Sequence, residues 1–141
     1  MYNKPMLGLA QCRAAMDAMI ADFNEDPSRR PIAMAIVDDT GNLIIYAQTD
    51  RCRPSTGRNS VKKAYTAALR SMESGAFAEQ LKRQGRSVTE FGDPMLFPLQ
   101  GGVVVLNPGD GSVLGGIGVA GLPTGQEDED IARVGMKALN L

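Results

Sequence analysis

The chain has 141 residues, with 15 Lys and Arg against 16 Asp and Glu and a formal net charge of −1 at pH 7. This length is typical of one domain with one core, so we expect a single domain over residues 1–141. The balanced charge argues against a nucleic acid or an anionic membrane as partner. No run reaches the roughly 18 apolar residues of a membrane span, and the N-terminus lacks a charged region followed by a hydrophobic one. We therefore expect a cytoplasmic protein.

Histidine is absent from the chain, and only two cysteines, Cys12 and Cys52, are present. The cysteines have no CxxC spacing, so they predict neither a zinc site nor a disulfide framework. Without histidine there is no imidazole metal ligand, no Ser-His-Asp triad and no proximal haem histidine. We predict no metal site, and any chemistry must use other groups.

The first half of the chain alternates helical and strand patterns. Apolar residues at helical spacing predict a first helix over Met6–Phe23. Ile32–Val37 and Leu43–Ala47 flank the turn sequence Asp-Asp-Thr-Gly-Asn, which predicts a β-hairpin. A loop over Thr49–Gly57 then precedes a second helix, whose apolar stripe begins at Val61.

The second half repeats this order. Ala76–Gln84 is predicted to form a short third helix, and residues 87–97 are irregular and punctuated by Gly and Pro. Val103–Leu106 and Val113–Ala120 flank Asn-Pro-Gly-Asp-Gly and predict a second hairpin. A closing helix over Gln126–Leu139 has acidic residues in its first turn, where they complement the helix dipole. This order favours an α+β fold, with an antiparallel sheet flanked by helices.

Glycines are concentrated in the last predicted strand and just before the preceding one. A strand with glycines over Gly115–Gly118 loses packing area, usually where a bulge forms or where another backbone or a ligand comes close. The segments Gly101, Gly102 and Gly118 to Gly121 could present backbone N–H groups to a ligand carboxylate, like an oxyanion hole. Turn and strand-crossing geometry explains these glycines equally well.

Lys63 is the first candidate for a functional side chain. It lies on the polar face of the second helix with Asn59, Thr66 and Arg70, at helical spacing. Beside apolar walls, such a lysine can act as a base, a Schiff-base nucleophile or a carboxylate anchor. The alternative is an ordinary solvated helix face.

The segment over residues 55–60 opens the same helix, where free N–H groups and the helix dipole attract carboxylate or phosphate. Arg51, Arg53 and Arg58 concentrate positive charge just ahead of Lys63, as a small dicarboxylate requires. The alternative is an N-cap with neighbouring exposed arginines.

Two further candidates come from loops. Asp38 is most simply a hairpin-turn residue, although a carboxylate near Lys63 could serve as a general base. Phe97, with Phe91 and Met95, could supply the apolar wall of a cleft or simply belong to the core.

Segments between Ile32 and Ala138 carry a resemblance to a known family. These segments are Ala35–Asp38 with Gly41, Lys63–Ala67, Gly101–Gly102, and Gly115–Gly121 followed by Asp128-Glu129 and Ile131-Ala132. In this order and spacing the chain resembles the GlcG/HbpS family of haem-degrading proteins. The resemblance implies a profilin-like α/β/α fold, assembly into dimers or higher oligomers up to octamers, and a pocket for haem or a small organic acid.

The chain departs from the family pattern in three respects. It has no histidine to serve as an axial haem ligand, although Tyr46, Tyr65, Met95 or a cysteine could substitute. Ala120 stands where the family has the serine of a Gly-Val-Ser-Gly turn, which removes a hydroxyl. The loop over Arg51–Arg58 is more basic than its family counterpart, which favours anions.

Two functional hypotheses remain open. In the first, the protein binds haem or a small organic anion through Arg58, Asn59, Phe97 and the glycine segments. In the second, it is a small catabolic enzyme, an isomerase, lyase or hydrolase acting on a short unsaturated or hydroxy carboxylate. Arg58 and glycine N–H groups would then hold the substrate while Lys63 moves a proton or forms an imine. The Ala- and Met-rich first helix favours a homo-oligomer in either case.

Overall fold

The structure is a computed structural model that describes all residues, Met1–Leu141. Four antiparallel strands form one sheet in the order β2-β1-β4-β3. The strands are β1 (Ala33–Asp38), β2 (Leu43–Gln48), β3 (Gly102–Leu106) and β4 (Val113–Ala120). The helices are α1 (Leu9–Asn24), α2 (Pro54–Arg70), α3 (Ser74–Gln84) and α4 (Gly125–Ala138), with a 3₁₀ turn over Val88–Phe91. The predicted α+β fold, an antiparallel sheet flanked by helices, is confirmed.

The two faces of the sheet are covered by different helices. Met34 and Ile36 of β1 belong to the larger core, which α1 and α4 share. The alternate residues Ala35 and Val37 pack against α2, around Ala64. This division follows from the two-residue period of a strand, which sends successive side chains to opposite faces.

The glycines of β4 allow α2 to lie directly on the sheet. A β carbon at Gly116 would stand 2.3 Å from the carbonyl oxygen of Ala64, and one at Gly118 would stand 2.1 Å from that of Ser60. No side chain fits between the strand and the helix at these positions. Of the explanations that the sequence left open for these two glycines, the structure shows close approach of another backbone.

Helix α2 begins earlier than the sequence predicted. The segment Thr49–Gly57 was expected to be a loop, but the helix starts at Pro54. Proline is compatible with the first helical position, because the amide that it lacks would have no partner there. The helix ends at Arg70, and the following residue, Ser71, is in a left-handed conformation with φ 56°. Helix α3 then begins at Ser74, two residues before the predicted start at Ala76.

The methionines of α1 lie inside the chain. Met16 and Met19 are buried in the larger core, and Met19 packs closely against Gly135 of α4. Their packing within one chain accounts for the composition from which a subunit interface was predicted. No helix of the chain is both long enough and apolar enough to cross a membrane.

Candidate functional site

A pocket of about 410 Å³ opens beside the N-terminal half of α2, and we call it the α2 pocket. Its volume falls within the range typical of small-molecule sites. Three exposed arginines stand around it: Arg30 from the loop before β1, and Arg51 and Arg53 from the loop before α2. The wall from α2 carries Ser55, Thr56, Asn59 and Lys63.

Lys63 lies in the buried part of the α2 pocket and is only 5% exposed. Its Nζ donates to the carbonyl oxygen of Val119 at 3.0 Å and to Oδ2 of Asp128 at 3.1 Å. The other carboxylate oxygen of Asp128 accepts from the N–H of Leu122 at 3.0 Å. Lys63 therefore belongs to a buried ion pair that ties α2 to α4, not to a solvated helix face.

Burial raises the pKa of the Asp128 carboxyl above its ordinary value. The ammonium of Lys63 and the N–H of Leu122 act in the opposite direction, but they offset only part of the effect. The carboxyl side chain is 5% exposed, so it has lost nearly all of its water, and that loss disfavours the charged form. A carboxyl group that holds its proton more tightly than usual thus lies next to an amine in a cleft.

Two of the predicted glycines make room for Lys63. Gly101 has φ +133°, and a β carbon there would stand 2.7 Å from Nζ of Lys63. A β carbon at Gly102 would stand 2.3 Å from the carbonyl oxygen of Lys63. The N–H of Gly102 is also occupied, because it donates to Oγ of Ser74 at 2.8 Å. Both glycines pack around the lysine backbone and side chain.

Several residues that were singled out from the sequence come together, among them Arg51 and Arg53. Lys63, Asn59, Phe97 and Gly121 all line the α2 pocket. Gly121 has φ +126°, and its carbonyl oxygen accepts from Nε of Arg30 at 3.0 Å. The amine of helix α2 and the glycine turn after β4 therefore line the same pocket.

Other predicted residues lie outside the α2 pocket. Asp38 accepts hydrogen bonds from Thr40 and Asn42 in the hairpin turn. Burial acts to raise the pKa of its carboxyl, but these hydrogen bonds hold the pKa below its ordinary value. Arg58 faces a separate shallow groove beside β2, and Gly118 is covered by α2.

The structure adds two residues that the sequence analysis did not select, Asp128 and Arg30. Asp128 is an acidic residue in the first turn of α4, where acidic residues are common because they complement the helix dipole. Its position in the sequence therefore gave no reason to expect the contact with Lys63. The only sequence signal was its place within the family motif. Arg30 precedes β1, and no local sequence pattern indicates its contact with Gly121.

Comparison with known proteins places the chain in a family. Residues 7–137 match the family described as haem degrading protein HbpS-like. The chain belongs to this family, and the predicted resemblance is confirmed. Protein GlcG of Escherichia coli is 34% identical over 105 residues, which cover 73% of this chain and 75% of GlcG.

Solved structures agree with this placement. A double mutant of HbpS from Streptomyces reticuli superposes with a TM-score of 0.86 at 29% identity, over 99% of this chain and 90% of that one. A PduOC:haem complex superposes with a TM-score of 0.80 at 20% identity, over 96% of each chain. At that identity the second likeness concerns the fold alone.

Proposed function

We propose that the protein binds a small organic anion in the α2 pocket. The observation that carries this proposal is the charge of the lining. It contains four cationic side chains and one carboxylate, that of Asp128; the cationic residues are Arg30, Arg51, Arg53 and Lys63. A cleft lined by one sign of charge raises the local concentration of ions of the opposite sign. Guanidinium groups also match the planar, two-oxygen geometry of a carboxylate.

Haem is suggested by the family description and by the PduOC complex, but the lining of the α2 pocket does not fit it. Protein ligands of haem iron are His, Cys, Met or Tyr, and none of the 14 lining residues is of these types. The hydroxyls of Tyr46 and Tyr65, two of the expected substitutes, donate instead to Gln48 and Asp93. We therefore propose an organic acid, and not haem, as the ligand of the α2 pocket.

Replacement of one of the three exposed arginines around the α2 pocket should weaken binding of the acid. We expect Arg53→Gln to reduce affinity about tenfold, because a charge-assisted hydrogen bond contributes about 1.5 kcal/mol or more. The measurement is isothermal titration with a panel of acids from glycolate to adipate, followed by the variant with the tightest binder. Arg58→Gln is the matched control, since Arg58 is an exposed arginine five residues further along, in α2, that faces a different groove. Equal losses in both variants, or no binding by any acid, would contradict the proposal.

Anion affinity should also increase as pH falls. The pKa of Asp128 is raised, so protonation begins above the ordinary range of an aspartate and removes the one negative charge of the lining. The probe should be an alkanesulfonate, because its own charge does not change over the pH range in which a carboxyl group titrates. In Asp128→Asn we expect tighter binding with a flat pH profile. An unchanged pH profile in that variant would show that another group is responsible.

A catabolic enzyme is the second candidate, and the buried Lys63–Asp128 pair is the observation that favours it. An amine beside a carboxyl with a raised pKa is an arrangement suited to proton transfer on a bound acid. Lys63→Arg keeps the positive charge but can neither form an imine nor release a proton near neutral pH. If the protein is an enzyme, this variant should retain binding and lose turnover. Equal turnover in the variant and the native protein would exclude the role of Lys63.

We also propose that the protein forms homo-oligomers. Strand β2 lies at the edge of the sheet, and its sequence Leu43–Gln48 has no charged residue and no proline. Edge strands without such protection tend to pair with another chain. Light scattering coupled to size exclusion should give more than one chain mass, and Ile45→Lys should lower it. A monomer at micromolar concentration would contradict this proposal.

A further inference from the structure

We infer that the ligand of the α2 pocket is a dicarboxylate with an apolar spacer, held at one end by Arg51 and Arg53 and at the other by Lys63. This inference rests on the proposed function and adds the class of acid. It follows from the positions of these cationic lining residues along helix α2.

The two ends are separated along helix α2. Arg51 and Arg53 precede Pro54, the first residue of the helix, whereas Lys63 follows Pro54 by nine residues. At the rise of an α-helix this places the two backbone positions about 13 Å apart along the axis. A ligand with two carboxylates suits such a separation, whereas a single compact anion contacts both groups only where the arginine and lysine side chains extend towards each other along the helix.

The arginine end is free to take a carboxylate. Arg51 and Arg53 are exposed, and their guanidinium groups take part in none of the ion pairs of the chain. The first turn of α2 contains no acidic residue, and its N-cap side chain makes no capping hydrogen bond. The amides of Ser55 and Thr56 therefore lack an intrahelical partner and add to the positive end of the helix dipole.

The backbone of Arg51 is held in the left-handed region, with φ 67°. This conformation disfavours a residue with a β carbon, and glycine adopts it freely. An arginine at this position therefore works against stability. The position suits a side chain that is needed for binding at the rim of the pocket.

The lysine end can accept a second carboxylate. An ammonium group has three N–H donors, and those of Lys63 are used twice, by Val119 and by Asp128. The third donor remains for a ligand, in a pocket whose lining includes Lys63. The lining also includes the apolar side chains of Phe97 and Leu122, which suit the methylene groups of a spacer.

The test compares acids of equal length that differ in the second charge. Isothermal titration would use the alkanedioates from succinate to pimelate, the alkanoates of the same carbon number, and inorganic phosphate. We expect the best diacid to bind at least tenfold more tightly than its matched monoacid, and phosphate to bind as weakly as the monoacids. Equal binding of monoacids and diacids overturns the inference and leaves the proposed function intact. Preferential binding of phosphate would mean that one compact anion is held by the arginines and Lys63 together, which also overturns the inference. If no anion binds, both the inference and the proposed function are wrong.

A double variant tests the arginine end. In Arg51→Gly/Arg53→Gln we expect the preference for the diacid over its matched monoacid to disappear, because only the Lys63 end then holds a carboxylate. Because glycine relieves the left-handed backbone at position 51, the variant should unfold within about 2 °C of the native protein or above it. A retained preference for the diacid in this folded variant would overturn the assignment of the arginines.

Discussion

Replacing Gly118 by alanine should destabilise the protein by about 3 kcal/mol or more, the upper range for an overpacked site. The added β carbon would stand 2.1 Å from the carbonyl oxygen of Ser60 and 2.5 Å from the amide nitrogen of Ala64. Both atoms belong to the backbone of α2, so no change of rotamer can relieve the overlap. The helix must move away from β4, which also moves Lys63 relative to Asp128. A loss of this size is a large part of the 5–15 kcal/mol that typically stabilises a domain.

The effect is measured by urea unfolding of Gly118→Ala against Gly8→Ala. Gly8 precedes α1, and a β carbon there would have its nearest neighbour at 3.6 Å, an ordinary contact with the side chain of Gln11. This control should cost less than about 1 kcal/mol, the usual range for a change at an N-cap. If the two variants were equally stable, α2 would not lie on β4 as the structure shows.

The second large effect is expected from Lys63→Met. Methionine preserves much of the side-chain length but removes the charge, which leaves the carboxylate of Asp128 buried without its partner. Breaking a buried ion pair in this way typically costs about 3–5 kcal/mol. In the double variant Lys63→Met/Asp128→Leu no unpaired charge remains, so part of the loss should be recovered.

The matched control is Lys62→Met, the preceding residue on the same helix. Lys62 is half-buried, and its Nζ stands 6.0 Å from the ring centroid of Phe97, a contact at the outer limit of a cation–π interaction. We expect this variant to lose less than about 1 kcal/mol. Equal stability losses at the two lysines would mean that the pair with Asp128 is not buried in solution.

The strands could be predicted from the sequence because their signals are local. Val113–Ala120 was predicted with the same bounds that the structure shows, since turn residues stand just before it and it contains an unbroken apolar run. The start of α2 was missed for a local reason too. Pro54, Ser55 and Thr56 are residues typical of turns as well as of first helical turns, and only the packing of the following residues on the sheet decides between them.

The site was only partly predictable. Lys63 stood out because it lies beside the apolar stripe of the second helix and matches the family motif, and it lines the α2 pocket in the structure. Its partner Asp128 is 65 residues away in sequence, and no periodic pattern reports such a contact. The glycines illustrate the same limit: Gly118 and Gly121 look alike in sequence, yet one is covered by α2 and the other lines the pocket.

The most direct test of the α2 pocket as an anion site is a crystal structure of the protein with the tightest-binding acid from the titrations. We predict that the acid lies between α4 and the two arginines Arg51 and Arg53, with a carboxylate oxygen within hydrogen-bonding distance of Nζ of Lys63. An acid bound instead in the groove that contains Arg58, or a haem bound in the α2 pocket, would contradict it.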